Sequence, residues 1–257
     1  MEHDIQNRRL GVCVSMRSSL MSRFRRMPSN PFPHLRKNVY EVRSIGLLKK
    51  AMGWTQSACI EGEYLEEYEH LTDLNDRRKR DAEVIAHACS NAKPGHMLEI
   101  GTASGQTTAL MAINSPSSTV HTVNIPPESI DSGGTLTTYA PSRDEIGRYY
   151  RSLGLRNINQ IFANTAHMQL EHGPISVAFI DGCHDKRFVY NDTLMAMSQA
   201  EPGTIILWHD FAPPLSCKHH WIAEVCAGVE KLYRTGKLRG PTFHLEDSWV
   251  GMYVCSK

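Results

Sequence analysis

The sequence predicts an α/β protein built on a doubly wound, mostly parallel sheet, with a helical cap on its N-terminal side. Three observations carry this. From residue 96 onward, short apolar runs alternate with stretches of helical spacing. The runs are nearly continuous in apolar residues, as in strands covered on both faces. The first of them ends in a glycine turn, Gly101 to Gly105, that opens directly into a helix.

A chain of 257 residues, 41% of them hydrophobic, suffices for one sizeable core or a core with a small appendage. The net charge of +1 hides an asymmetry: residues 1–50 carry 11 Lys/Arg against 3 Asp/Glu, leaving 17 against 24 in the remainder. This basic segment includes Arg8, Arg9, Arg25, Arg26, Arg36 and Lys37, with prolines at 28, 31 and 33. It reads as a targeting peptide or nucleic-acid arm, or as a surface extension packed on the acidic body or on a partner subunit. Glu2 and Asp4, the lack of an apolar signal core and the absence of interleaved aromatics favour the surface extension. The expected division is therefore 1–55, basic extension and cap helix, and 56–257, the main domain.

Residues 39–93 turn helical. Ile45, Leu47, Leu48 and Met52 form one apolar face, and Tyr64, Leu65, Tyr68 and Leu71 recur at helical spacing around a charged stretch at 61–70. An amphipathic helix at 81–91 ends in Ala92-Lys93-Pro94-Gly95, a stop signal ahead of the first strand. Beyond the glycine turn, strands are expected at 118–125, 158–164, 175–181 and 204–210. Helices are expected at 144–153, 186–200 and 220–234, with two short strands inside 242–255. Residues 128–141, with Gly133-Gly134, read as a flexible loop able to close over a ligand. Tyr139, Tyr149 and Tyr150 could line an acceptor pocket, although aromatics at helical spacing are more often core. No apolar run reaches the ~18 residues of a membrane span. Seven cysteines without a Cys-x-x-Cys pair read as thiols of a reducing compartment, hence a cytoplasmic protein.

The glycine turn has its own chemistry. Gly101 permits a backbone turn closed to other residues, and Gly105 is expected to let a ligand approach closely. A nucleotide triphosphate loop would need Lys-Ser/Thr where Gln106-Thr107 stand. Glu99, two residues before the first glycine, would repel a pyrophosphate and favours a cationic ligand. Glu99-x-Gly101-x-x-x-Gly105 resembles the first motif of the class I S-adenosylmethionine-dependent methyltransferases. That resemblance implies a seven-stranded sheet, S-adenosylmethionine as cofactor, and a cofactor site at Glu99, Gly101, Thr102, Gly105, Asn124, Asn164 and Asp181. Asn124 would lie near the ribose, where many relatives have an acid. Asn164 would lie near the adenine, unless it and Thr165 simply cap the next turn of chain.

Polar residues gather at the expected strands' carboxyl ends, where such sheets bind ligands. Ile180-Asp181-Gly182-Cys183-His184 and Leu207-Trp208-His209-Asp210-Phe211 look like a subgroup of metal-dependent O-methyltransferases that tailor sugars and antibiotics, together with the cephalosporin hydroxylase-like proteins. The resemblance covers roughly residues 60–257. It implies Asp181 and, 28 and 29 positions later, His209 and Asp210 as ligands of a divalent metal, magnesium or manganese, with His184 as base. His209 replaces an acid of the pattern; an imidazole with two carboxylates suits manganese, iron, zinc or cobalt better than magnesium. His219 and His220 could supply a further nitrogen. Two alternatives stay open: a metal-free site with His209 hydrogen-bonded to substrate, and His184 as cap of the helix near 186. The resulting expectation is O-methylation of a small hydroxylated acceptor, a sugar, glycoside or other secondary metabolite, by a homo-oligomer. The rivals are a metal-independent N-methyltransferase and a nucleic-acid-binding protein with a methyltransferase-like body.

Overall fold

A computed structural model describes residues 24–26, 31–60, 72–129 and 141–256. The charged stretch at 61–70, most of the loop at 128–141 with Tyr139, and the first 23 residues of the basic segment lie outside the described residues. In chain order the elements are β1 (Arg25–Arg26), α1 (Pro33–Asn38), β2 (Val39–Val42), α2 (Ile45–Met52), α3 (Thr72–Asn91), β3 (His96–Ile100), α4 (Gln106–Asn114) and β4 (Thr119–Asn124). They continue with α5 (Arg148–Ser152), β5 (Ile158–Phe162), β6 (Ile175–Ile180), α6 (Lys186–Ser198), β7 (Ala200–Trp208), α7 (His220–Arg234), β8 (Thr242–Leu245) and β9 (Gly251–Val254).

The described strands form one sheet in the order β1-β2-β8-β9-β7-β6-β3-β4-β5. Strands β5, β4, β3, β6 and β7 run parallel, and β9 is antiparallel to both β7 and β8. The α/β architecture stands as expected, with nine strands instead of seven. The two extra strands come from the N-terminal segment. Residues Val39–Val42, expected to be helical, pair in parallel with β8, Val39 opposite Thr242 and Val42 opposite Leu245. The pattern Val-Tyr-Glu-Val fits a helical i, i+3 spacing as well as a strand whose ends are buried, and the free edge of β8 decides between them.

Alternation along the central strands feeds two cores. Leu98, Ile100, Ala178, Ile180, Ile206 and Trp208 face the layer formed by α1, α6 and α7; Met97, Val177, Phe179, Ile205 and Leu207 face that of α2, α3 and α4. Residues before position 55 enter both cores: Leu35 and Val39 one, Val42 and Leu48 the other. The α1 N-terminus is held by Glu230 of α7, whose carboxylate accepts from His34 N at 3.1 Å and Leu35 N at 2.9 Å. An acid there satisfies amides the helix leaves unpaired and complements its dipole. Among the described residues no helix is long and apolar enough to cross a membrane.

Candidate functional site

The strand order reverses beside β3, between β4 on one side and β6 on the other. Backbone pairing continues one residue past the strand ends: Gly101 N donates to Val123 O and Asp181 N to Ile100 O, both at 2.8 Å, and His209 N donates to Ile180 O at 3.1 Å. The residues singled out in the sequence are thereby gathered at one end of the sheet.

Gly101 has φ +103°, and a Cβ there would fall 2.0 Å from the Asp181 carbonyl oxygen. Only a glycine lets the turn lie against the loop bearing Asp181. Gly105 serves differently from the expectation of ligand approach, for its Cβ would meet Tyr150 Cδ1 at 2.6 Å and Gly147 Cα at 2.9 Å. Its bareness admits the α5 segment. Tyr150 belongs to that packing, its hydroxyl donating to Gln160 Oε1 at 3.0 Å.

Several of the candidate cofactor residues work from inside the turn. Glu99 is fully buried; its Oε2 accepts from Thr108 Oγ1 and, at 2.5 Å, from Thr122 Oγ1, while Oε1 has no partner. Burial pushes its carboxyl up to about 8, against the pull of the two hydroxyls. Thr102 Oγ1 shares a 2.6 Å hydrogen bond with Thr122 Oγ1 and accepts from Gln160 Nε2 at 3.0 Å. Asn124 Oδ1 accepts from Ala103 N at 3.1 Å, and its amide nitrogen donates to Ile125 O. Asn164 Oδ1 accepts from Ala166 N at 3.0 Å and so caps the short turn Thr165–His167, the alternative role open to it.

At the ends of β6 and β7 the structure brings Asp181, His184, His209 and Asp210 together. His209 Nδ1 lies 3.1 Å from Asp181 Oδ1, and His184 Nε2 lies 3.2 Å from Asp210 Oδ2 and 3.6 Å from Asp181 Oδ1. Asp210 sits at φ +52°, a backbone conformation that costs a non-glycine residue energy and is typical of functional turns. The turn is pinned by Phe211, fully buried, whose N–H donates to Trp249 O at 2.8 Å. Asp185, not His184, caps α6 by accepting from Arg187 N at 2.8 Å.

Charge balance dominates the cluster. Burial alone would raise the Asp181 carboxyl, but His209 and then His184 hold it down to about 2. Desolvation opposes the charged form of both imidazoles, yet the facing carboxylates raise His184 above its ordinary value and His209 well above it. Among the described residues, one set of carboxylate and imidazole ligand atoms gathers within 4.8 Å: Asp181, His184 and Asp210. This differs from the expected trio in taking His184 where the family pattern pointed to His209. Two carboxylates and an imidazole fit a divalent cation of the manganese-to-zinc type.

One residue of the cluster escaped sequence reasoning. Asp81 of α3 is 3% exposed in its side chain; its Oδ1 accepts from Trp249 N at 2.6 Å, and its Oδ2 lies 3.5 Å from His209 Nε2. The signal was present, since Asp81, Ile85 and Ala88 share one helical stripe and the last two are core. His219 stays outside the cluster, packed at 4.8 Å on Trp221 and 5.8 Å on Trp249.

Comparison with known proteins bears on the fold. Residues 98–211 match a family described as a methyltransferase domain. No curated protein sequence matches the chain. Among solved structures, the calicheamicin methyltransferase CalS11 is similar at 11% identity, over 83% of this chain and 91% of that one, with a TM-score of 0.53. The methyltransferase PaMTH1 of Podospora anserina, bound to S-adenosylhomocysteine, is 14% identical over 82% and 94%, with a TM-score of 0.51. Cofactor-bound Rv0187 from MTB is 18% identical over 68% and 79%, with a TM-score of 0.50. At these identities the likeness is one of fold.

Proposed function

We propose that this chain, whose residues 98–211 match a methyltransferase domain, is a class I S-adenosylmethionine-dependent methyltransferase that methylates a hydroxyl oxygen of a small molecule, a sugar, glycoside or other secondary metabolite, with a divalent cation held by Asp181, His184 and Asp210. The observation that supports this reading best is the meeting of two carboxylates and an imidazole beside the glycine turn, where the strand order reverses. For the cofactor, Gly101 and Gly105 shape the seat, Glu99, Thr102 and Asn124 hold it from below, and Asn164 and Asp181 border it.

Methyl transfer from a sulfonium already has a good leaving group, so the protein has to align the partners and make the acceptor oxygen nucleophilic. A divalent cation bound here would supply a lowered acceptor pKa. The chain's own residues do the rest. Asp81 and Asp181 grip the two nitrogens of His209 and set its ring. His184, facing both carboxylates, fits a ligand better than the base the resemblance implied. With the carboxylate charge shared by a cation held there, the pull that keeps a proton on His209 would weaken; its Nδ1, beside Asp181, would then be able to take the hydroxyl proton while Nε2 keeps its own toward Asp81.

A metal-free reading has one observation in its favour: His184 and His209 already face the two carboxylates as internal cations. Titration of chelator-treated protein with manganese separates the two. The proposal expects one saturable site, lost in Asp181→Ala and weakened at least ~10-fold in His184→Gln. Absence of any metal isotherm, with methyl transfer retained after chelation, would establish the metal-free alternative.

A further inference from the structure

A cleft of about 1010 Å³ runs between α3, the loop after β7 and the β8–β9 turn. Trp249 connects it to the cluster described above: its side chain lines the cleft, and its N–H is bonded to Asp81, which faces His209. The charges are segregated. Glu41, Glu246 and Asp247 line one end, while Arg77, Lys79 and Lys218 line the α3 and post-β7 walls. Arg77 stacks 3.5 Å over the Trp249 ring, and Arg80 holds Glu83 at 3.1 Å.

Among the described residues, none donates a hydrogen bond to the carboxylates of the acidic end. Burial pushes the Glu41 carboxyl above its ordinary range, Glu246 and Asp247 push it further, and Arg25 pulls the other way. Behind it stands His244, 4% exposed. Its Nε2 must carry the proton, because it faces the Ser248 carbonyl at 2.9 Å. Burial holds the ring's pKa down to about 4 and so keeps it neutral, which leaves Nδ1 a bare lone pair, without a hydrogen-bond partner among the described residues and 3.9 Å from Glu41 Oε1. Among the described residues nothing donates between these two acceptors, an arrangement that costs free energy until a donor arrives.

We propose that this end of the cleft seats a cationic amino group of the methyl acceptor, which is therefore an amine-bearing hydroxylated molecule of the aminosugar type. The inference rests on the O-methyltransferase reading of the adjoining cluster. An ammonium brings three donors and a positive charge, and so answers His244, Glu41 and the acids of the β8–β9 turn together. A neutral sugar leaves the carboxylates unneutralised, and an anion is repelled by them.

The test is calorimetry on the full chain saturated with S-adenosylhomocysteine, using three probes: methyl 2-amino-2-deoxyglucoside, its N-acetyl derivative and methyl glucoside. The amine is expected to bind at least ~10-fold tighter than both neutral probes, and to lose that preference in Glu41→Gln and in the exposed-site variant Glu246→Gln. Equal binding of all three, no binding of the amine, or a preference untouched by either variant overturns the proposal. The S-adenosylhomocysteine isotherm, recorded first, is a separate check. Its absence would count against the methyltransferase reading, while an amine preference lost in Glu41→Gln would still establish the cation seat.

Discussion

Glu99 and Asp81 show how single buried acids are held at opposite costs. Glu99 sits under the glycine turn with one oxygen served by two threonines and the other by nothing, so its folded-state pKa of about 8 lies far above that of an unfolded chain. Between pH ~4.5 and ~8 the folded protein retains a proton that the unfolded chain has lost, so this group's contribution to stability is full below that window and falls as pH rises through it. In urea titrations, Glu99→Gln is expected to match wild type near pH 5 and to exceed it by up to a few kcal/mol at pH 8.5; parallel curves would contradict the assignment. Asp81 is better satisfied. Asp81→Ala is expected to cost about 1–3 kcal/mol by leaving Trp249 N unpaired. Asp81→Asn should keep most of that stability yet lower the His209 pKa, read by NMR titration of its ring, because the carboxylate that helps hold its proton is gone. Asp81 went unread in the sequence, although it shares a helical stripe with core residues, because His209 and Trp249 reach it from distant parts of the chain.

At the level of elements, two junctions set the site. The β3–α4 turn touches the β6 loop so closely that Gly101→Ala, with its Cβ 2.0 Å from a carbonyl oxygen at a φ unsuited to alanine, is expected to destabilise by several kcal/mol and to disrupt the Asp181 loop. Differential scanning calorimetry checks it; a variant as stable as wild type would mean the turn and the loop can part. The second junction is Glu230 on the N-terminus of α1. Glu230→Ala removes the acceptor for His34 N and Leu35 N and should cost about 1–2 kcal/mol, read as a lower urea midpoint. The sequence pattern served well where an element's own residues determine it: α7 begins and ends where expected, and α2 carries the apolar face read from Ile45 to Met52. It failed where pairing or local geometry intervenes. β2 is a strand because β8 has an edge to offer, and α5 shrinks to five residues because Gly147 takes a left-handed turn just before it.

Across the whole molecule, the doubly wound sheet explains why residues as distant in the chain as Glu99, Asn124, Asp181 and Asp210 converge: parallel strands deliver their carboxyl ends to one rim. That much was readable from the order of apolar runs and from the polar residue closing each. Which side chains turn outward was not. Thr102 and Asn124 are spent on the turn itself, and His184 stands beside the carboxylate pair together with His209, because both facts depend on side-chain directions that a spacing does not carry. Every step of the proposed chemistry requires the turn at Gly101 to be a seat for S-adenosylmethionine. Calorimetric titration of chelator-treated protein with S-adenosylhomocysteine tests this most directly. The expected result is a single metal-independent site that is lost in Gly101→Val, while Asp181→Ala abolishes only the separate metal isotherm; a wild-type protein that is folded and binds no S-adenosylhomocysteine would contradict it.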